Sequence, residues 1–206
     1  MGNRAVITTK KNWINDGIGI YLHYNGGRDS VEAFLKYCEL KGFRSPSNDS
    51  YGMARLCQVI GNFFGGGLSI GINTLWHLDC NNCDNGVYII EGWEIVDREY
   101  FDGEEQNEYD LNKMLQEIDK RQPEEEQLGD FLKKEEKSIE DIDVGDEVYF
   151  VDYSGKVQHK TVVGIGEDKF VNGTNVKDIP FMDLYENDGS YDRNINNYLI
   201  HGNYRV

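Results

Sequence analysis

The sequence predicts an α+β fold: a mainly antiparallel sheet with helices on one side, followed by an acidic linker and a small SH3-like β-barrel. Three observations carry this reading. Short runs that alternate apolar and polar residues are interleaved with longer stretches whose apolar residues recur at i, i+3, i+4 and i+7. Most of the negative charge falls in one middle segment. Beyond it the chain breaks into short alternating runs divided by Ser-Gly, Glu-Asp and Asn-Gly pairs.

Arg4–Thr9 is a short β-rich run. Ile18–Tyr24 alternates, placing Ile18, Ile20, Leu22 and Tyr24 on one face and Gly19, Tyr21 and His23 on the other. Asn25-Gly26-Gly27 interrupts it. Asp29 then caps a helix, with Glu32 completing an Asp-x-x-Glu pattern. Val31, Phe34, Leu35 and Cys38 form that helix's core-facing stripe, and Gly42 stops it. After a polar, Pro-containing loop, a second helix is expected from about 51 to 64, its stripe Met53, Leu56, Cys57, Ile60 and Phe64. Residues 68–73, 87–90 and 93–100 read as strands, with Gly92 at a turn or bulge. Leu111, Met114, Leu115 and Ile118 mark a third helix, and residues 1–122 make up the first domain. Residues 123–140 are charged and read as a linker or a solvated helix. Residues 141–206 form the expected barrel, with Asn172-Gly173 as a hairpin turn.

Composition narrows the class. The chain has 206 residues, with 13 Tyr, 9 Phe and 3 Trp to build a core. No apolar run reaches the roughly 18 residues of a membrane helix, and MGNRAVITTKK has no apolar signal region. Val6 stands where a myristoylation signal needs Ser or Thr. A cytoplasmic protein without membrane partners is expected. Cys38 and Cys57 lie on helical apolar stripes and read as reduced, buried thiols. The net charge is −16, and residues 102–147 hold 18 of the 37 acids but only 6 of the 21 bases. The flanking regions are nearly balanced, so one acidic segment sits between ordinary domains.

Candidate chemistry concentrates between Gly17 and Gly42, where strand, Gly-Gly turn and helix follow one another. Asn25-Gly26-Gly27-Arg28-Asp29-Ser30 resembles the Ser-Gly-Gly-x-Asp-Ser loop of the PP-loop ATP pyrophosphatases. That resemblance implies a cradle for pyrophosphate, in which glycine lets the backbone approach and the helix N-terminus favours negative charge. Asn25 departs from the motif's Ser, and no parallel strand is expected after Gly42. Asn25, Gly26, Gly27 and Ser30 are the anion-binding candidates, with His23, Arg28 and Asp29 as catalytic ones. His23 has the chemistry of a general acid or base on a phosphodiester. Arg28 either clamps a phosphate or pairs with a nearby acid such as Asp29 or Glu32. The alternative is a tight strand–helix connection with a capped helix. His77, Cys80 and Cys83 have a zinc-like His-x2-Cys-x2-Cys spacing, but no second Cys-x-x-Cys completes it, so no metal is assigned. No cofactor is assigned either. Glu124, Glu125 and Glu126 read as a solvated face or as a surface for a basic groove. In the barrel, Tyr153, Phe170, Tyr185, Tyr191 and Tyr198 suit protein contact.

NRAVITT, YLHYNGGRDSVEAFL and VYIIEGWEIV resemble acidic accessory proteins of phages and conjugative elements of Gram-positive bacteria. The resemblance covers about the first 120 residues. It implies counter-defence of the anti-CRISPR or antirestriction type. The expected partner is a bacterial defence nuclease or ribonucleoprotein with a basic groove, and RNA and a second copy of the chain are further candidates. The competing class is an enzyme acting on a phosphodiester or nucleotide, such as a guide-RNA-directed nuclease, through His23, Gly26, Gly27 and Arg28. It needs a local positive patch, for which Arg4, Lys10, Lys11, Arg28, Lys36, Lys41, Arg44 and Arg55 are available. A scaffold without activity of its own is a third reading.

Overall fold

The computed structural model describes residues 2–47, 50–67, 69–134, 136–137, 147–151, 155–161 and 204–205. The chain divides into two compact units, residues 1–39 with 43–127, and residues 40–42 with 128–206. The first unit is α+β. Its strands are β1 (Ala5–Thr9), β2 (Ile18–Leu22), β3 (Ile70–Thr74), β4 (Val87–Glu91) and β5 (Glu94–Glu99). Its helices are α1 (Lys10–Ile14), α2 (Arg28–Leu40), α3 (Ser50–Phe64) and α4 (Leu111–Asp119). The sheet runs β3-β2-β1-β4-β5. β1–β2, β2–β3 and β4–β5 are antiparallel, but β1 and β4 run parallel, with Val6 opposite Val87 and Ile7 opposite Tyr88. The sheet is therefore mixed. Its one parallel pairing joins strands about 80 residues apart, beyond the reach of local periodicity.

β1 is buried along its whole length, as expected for a central strand with both faces covered. On one face Val6, Val87, Ile89 and Leu75 form a cluster against which Trp13, Tyr21, Leu78 and Cys80 pack. Gly19 lies beneath it, where a Cβ would come within 3.0 Å of Leu75, Leu78 and Val6 side-chain atoms. The alternation places Ala5, Ile7, Ile20, Leu22, Tyr88 and Ile90, all buried, on the opposite face. α3 approaches that face at Gly61, whose Cβ position is 3.9 Å from Ile70. Phe34 of α2 and Phe63 of α3 meet edge to face at 5.3 Å. Helices thus lie over one face, while α1 brings Trp13 to the other.

α1 is absent from the sequence reading. Five residues carry no apolar stripe, and its start is set by a cap: the Thr9 hydroxyl accepts from the Asn12 N–H at 3.2 Å. The β4–β5 hairpin turns at Gly92, whose φ of 66° favours glycine. Its tip is fixed to the α2–α3 loop, since the Gly92 N–H donates to Ser47 and the Trp93 indole to the Phe43 carbonyl.

Within residues 123–140, expected as linker or solvated helix, the chain forms two 3-10 turns, Glu124–Glu126 and Gly129–Lys133. Leu128, Phe131 and Leu132 are buried. Three large apolar side chains at this spacing anchor a segment that its charge content had marked as solvated. The second unit contains a sheet ordered β6-β9-β7-β8, from Glu136–Lys137, Tyr204–Arg205, Glu147–Val151 and Val157–Thr161. β7 and β8 form an antiparallel hairpin. The turn at Asn172-Gly173, the remaining strands of the expected barrel, and Tyr153, Phe170, Tyr185, Tyr191 and Tyr198 lie outside the described residues. Among the described residues no helix is long and apolar enough to cross a membrane.

Candidate functional site

The turn after β2 serves packing before anything else. Asn25 adopts a left-handed conformation, φ 53°, which asparagine tolerates. Gly26 is buried against the start of β1: its N–H donates to the Asn3 carbonyl at 2.8 Å. A Cβ on Gly26 would sit 2.7 Å from the Ala5 Cβ and the Asn3 carbonyl oxygen. The backbone that Gly26 lets in is the protein's own. α2 begins at Arg28, and the Gly27 carbonyl accepts from the Val31 N–H. The expected Asp29–Glu32 capping box does not form. Asp29 instead accepts from the Ser30 hydroxyl at 3.3 Å, within reach of Asn25, whose amide lies 3.5 Å from Ser30. Glu32 is drawn away by Arg28 and by the Tyr109 hydroxyl.

Charge around the α2 N-terminus is organised by three residues. The Arg28 Nε donates to Glu32 at 2.6 Å and its guanidinium reaches Glu105 at 3.2 Å. Of the two options for Arg28, the pairing with acids is the one observed. Arg98, with its side chain 9% exposed, donates to the same Glu105 oxygen at 2.7 Å. Its other nitrogens reach the Asn85 carbonyl at 3.2 and 3.0 Å, and its guanidinium lies over the Phe101 and Tyr88 rings, at 3.5 and 4.2 Å. Burial works to raise the Glu105 pKa, but the hydrogen bonds from Arg98 and Arg28 outweigh it, and the carboxyl stays below the usual range. The Gln106 side chain accepts from the Asp29 N–H at 3.4 Å. A segment joining β5 to α4 therefore covers the helix start with Glu105, Gln106 and Tyr109. Neither Arg98 nor Tyr88 stands out in the sequence, and Glu105 reads there only as one of the acids near the Glu124–Glu126 run. The available signal was Arg98 itself, a cation in a β5 otherwise rich in acids.

His23 lies elsewhere. It is exposed, its ring meets Tyr24 edge to face at 4.6 Å, and its N–H donates to the Ser69 carbonyl. Among the described residues no hydrogen bond, ion pair or ring contact joins it to Arg28. With Tyr21, Tyr24, Ser69, Ile70 and Gly71 it borders an open groove of about 460 Å³ beside edge strand β3.

His77, Cys80 and Cys83 do not converge. His77 bonds Thr74 at 2.9 Å, and the Cys80 and Cys83 thiols approach the Leu75 and Asn81 carbonyls at 3.6 and 3.9 Å. Among the described residues no group of three or more His, Cys, Asp or Glu is placed to hold a metal ion. The loop is organised instead by Asn82, buried and bonded to backbone at both ends of its amide. Its Nδ2 donates to the Asp79 and Gly86 carbonyls, and its Oδ1 accepts from the N–H groups of Asp84, Asn85 and Gly86. All four cysteines are free, and burial pushes the Cys38 thiol up.

The bases available for a positive patch are largely engaged. Arg4 pairs with Asp84 at 2.6 Å, Lys10 with Glu91, and Lys36 with Glu39. Arg44 lies over Tyr51 and Arg55 over Phe43. Lys41, in the second unit, is buried and donates to the Gly155 carbonyl at 2.6 Å. Glu124, Glu125 and Glu126 are exposed on a 3-10 turn that starts after Pro123. Just before it Gln122 is buried and donates to the Val59 and Ile118 carbonyls, which anchors the turn to α3 and α4.

No family model, curated protein or solved structure matches the chain.

Proposed function

We propose that this chain is a counter-defence protein of a mobile element, acting in the cytoplasm of a bacterial host by occupying the basic groove of a nucleic-acid-binding defence complex. The observation that supports it is the Glu124–Glu126 turn, three exposed carboxylates in sequence on a backbone held by the buried Gln122. Carboxylates on an anchored turn meet a basic groove without the ordering entropy that a free tail loses. The competing enzymatic reading needs His23 and Arg28 to act together, and Arg28 is held by Glu32 and Glu105. Its positive patch is likewise engaged by acids and rings.

The test is inhibition of target cleavage by a bacterial RNA-guided nuclease, with binding followed by calorimetry. The full chain is expected to inhibit. Its affinity should fall at least about tenfold between about 0.1 and 1 M salt, as the screening length drops from about 10 to 3 Å. The variant Glu124→Lys/Glu125→Lys/Glu126→Lys should lose inhibition while keeping its Tm. If that variant inhibits like the parent, the acidic turn is not the contact.

A further inference from the structure

The α2 N-terminus carries one feature that folding alone does not explain. Tyr88 is fully buried, and among the described residues its hydroxyl has no hydrogen-bond partner. A buried donor left unmade costs stability, and its neighbourhood offers a reason for keeping it. Tyr88 stands on β4 directly opposite Arg98 of β5, and Arg98 bonds Glu105 at the helix start. Arg98 stacks on the Tyr88 ring. Two kinds of anion-seeking group thus meet at one place, two guanidiniums and the first turn of a 13-residue helix, and the buried phenol belongs to the ring that Arg98 covers. One carboxylate oxygen of Glu105 accepts from both guanidiniums, at 3.2 and 2.7 Å. Glu105 arrives on a segment, residues 101–110, with no helix or strand of its own. In the same segment, the Gln106 side-chain oxygen takes the Asp29 N–H.

We propose that Arg28, Arg98, the Asp29 N–H and the Tyr88 hydroxyl form a site for a phosphate dianion, closed by Glu105 and Gln106 of the 101–110 segment acting as an internal occupant. The cradle is the guanidinium pair, not the Gly26-Gly27 turn, which is filled by β1. Glu105 offers one negative charge. A phosphate or phosphomonoester offers close to two and three acceptor oxygens, enough for both guanidiniums, the backbone N–H and the phenol together. Binding therefore displaces Glu105 and frees the segment.

The experiment uses the full chain and titrates it by calorimetry with inorganic phosphate, and separately with adenosine monophosphate, against chloride at matched ionic strength. Glu105→Gln removes the competing charge with little change of shape, and it should bind phosphate about tenfold more tightly than the parent, the size of one charge-assisted contact. Arg28→Gln in the Glu105→Gln background should remove that gain. In the unaltered parent, millimolar phosphate should speed hydrogen exchange across 101–110 while leaving β1 and β4 unchanged, which tests the site without any variant. Equal affinity for phosphate and the nucleotide identifies the phosphate group alone as the ligand. Tighter binding of the nucleotide identifies a phosphomonoester with further contacts. The proposal is overturned if Glu105→Gln, with an unchanged circular dichroism spectrum, binds phosphate no better than the parent. It is equally overturned if phosphate leaves exchange in 101–110 unaltered.

Discussion

At the scale of single residues, the side chains with the most demanding surroundings are not the ones whose chemistry stands out in the sequence. Asn82, between two cysteines of a zinc-like spacing, is 2% exposed and uses both ends of its amide on backbone groups of the 79–86 loop. Asn82→Ala removes all five bonds, among them the one the buried Gly86 N–H makes, and we expect a loss of about 2–4 kcal/mol in urea unfolding. Asn82→Asp keeps the three accepted bonds and loses the two donated ones, so it should fall between the parent and the alanine variant. A loss below about 0.5 kcal/mol for Asn82→Ala, the range of ordinary surface changes, would contradict this role. Asparagine followed by aspartate and glycine signals a turn. That one asparagine nucleates the whole loop becomes visible only when its five bonds are seen together.

At the scale of elements, periodicity did what periodicity can do. α2, α3 and α4 fall where the apolar stripes place them, β2 where the alternation does, and β4 and β5 at the runs 87–90 and 93–100 read as strands. The Gly26-Gly27 turn shows the limit. Glycine admits a close neighbour, and the sequence does not say whether that neighbour is a phosphate or another strand. Here it is β1, through Ala5 and Asn3. The parallel β1–β4 pairing and the reach of Glu105 back to Arg28 are likewise contacts over about 80 residues, which no local pattern encodes. A similar long-range contact pins α4 to α2: the Tyr37 hydroxyl donates to Asp119 at 2.7 Å, with both side chains buried. Burial, and then the Asp119 hydrogen bond and charge, push the phenol's pKa far up, so this donor keeps its proton throughout the working range. Tyr37→Phe keeps the ring and removes the donor beside a buried carboxylate. We expect it to cost about 1.5–3 kcal/mol in denaturant midpoint with the m-value unchanged. A cost that disappeared in the Asp119→Ala background, which has no side-chain acceptor, would place the effect in this bond, whereas an equal cost there would assign it to packing of the ring.

For the whole molecule the governing quantity is charge, −16 at pH 7 and concentrated between residues 102 and 147. Two effects of acid then oppose each other. Protonating exposed carboxylates relieves self-repulsion, which favours the compact state as pH falls from 7 toward 5. Asp84 and Glu105 act in the other direction. The Arg4 side chain, aided by its N–H, holds the Asp84 carboxyl below its ordinary value. For Glu105, the bonds from Arg98 and Arg28 prevail over burial to the same end. A carboxylate whose pKa is depressed by folding binds fewer protons in the native than in the unfolded chain, so stability rises with pH across that interval. The stabilisation is complete above the unfolded values, about 4, and is lost as pH drops through the lower folded ones. Tm is therefore expected to stay level or rise from pH 7 to 5 and to fall below about pH 4. Asp84→Asn/Glu105→Gln should start from a lower Tm at pH 7 and show a shallower acid limb, because neither group is left to titrate. Differential scanning calorimetry across this range decides it: parallel acid limbs in the parent and the double variant would show that other carboxylates, and not these two arginine-held ones, set the acid stability of the fold.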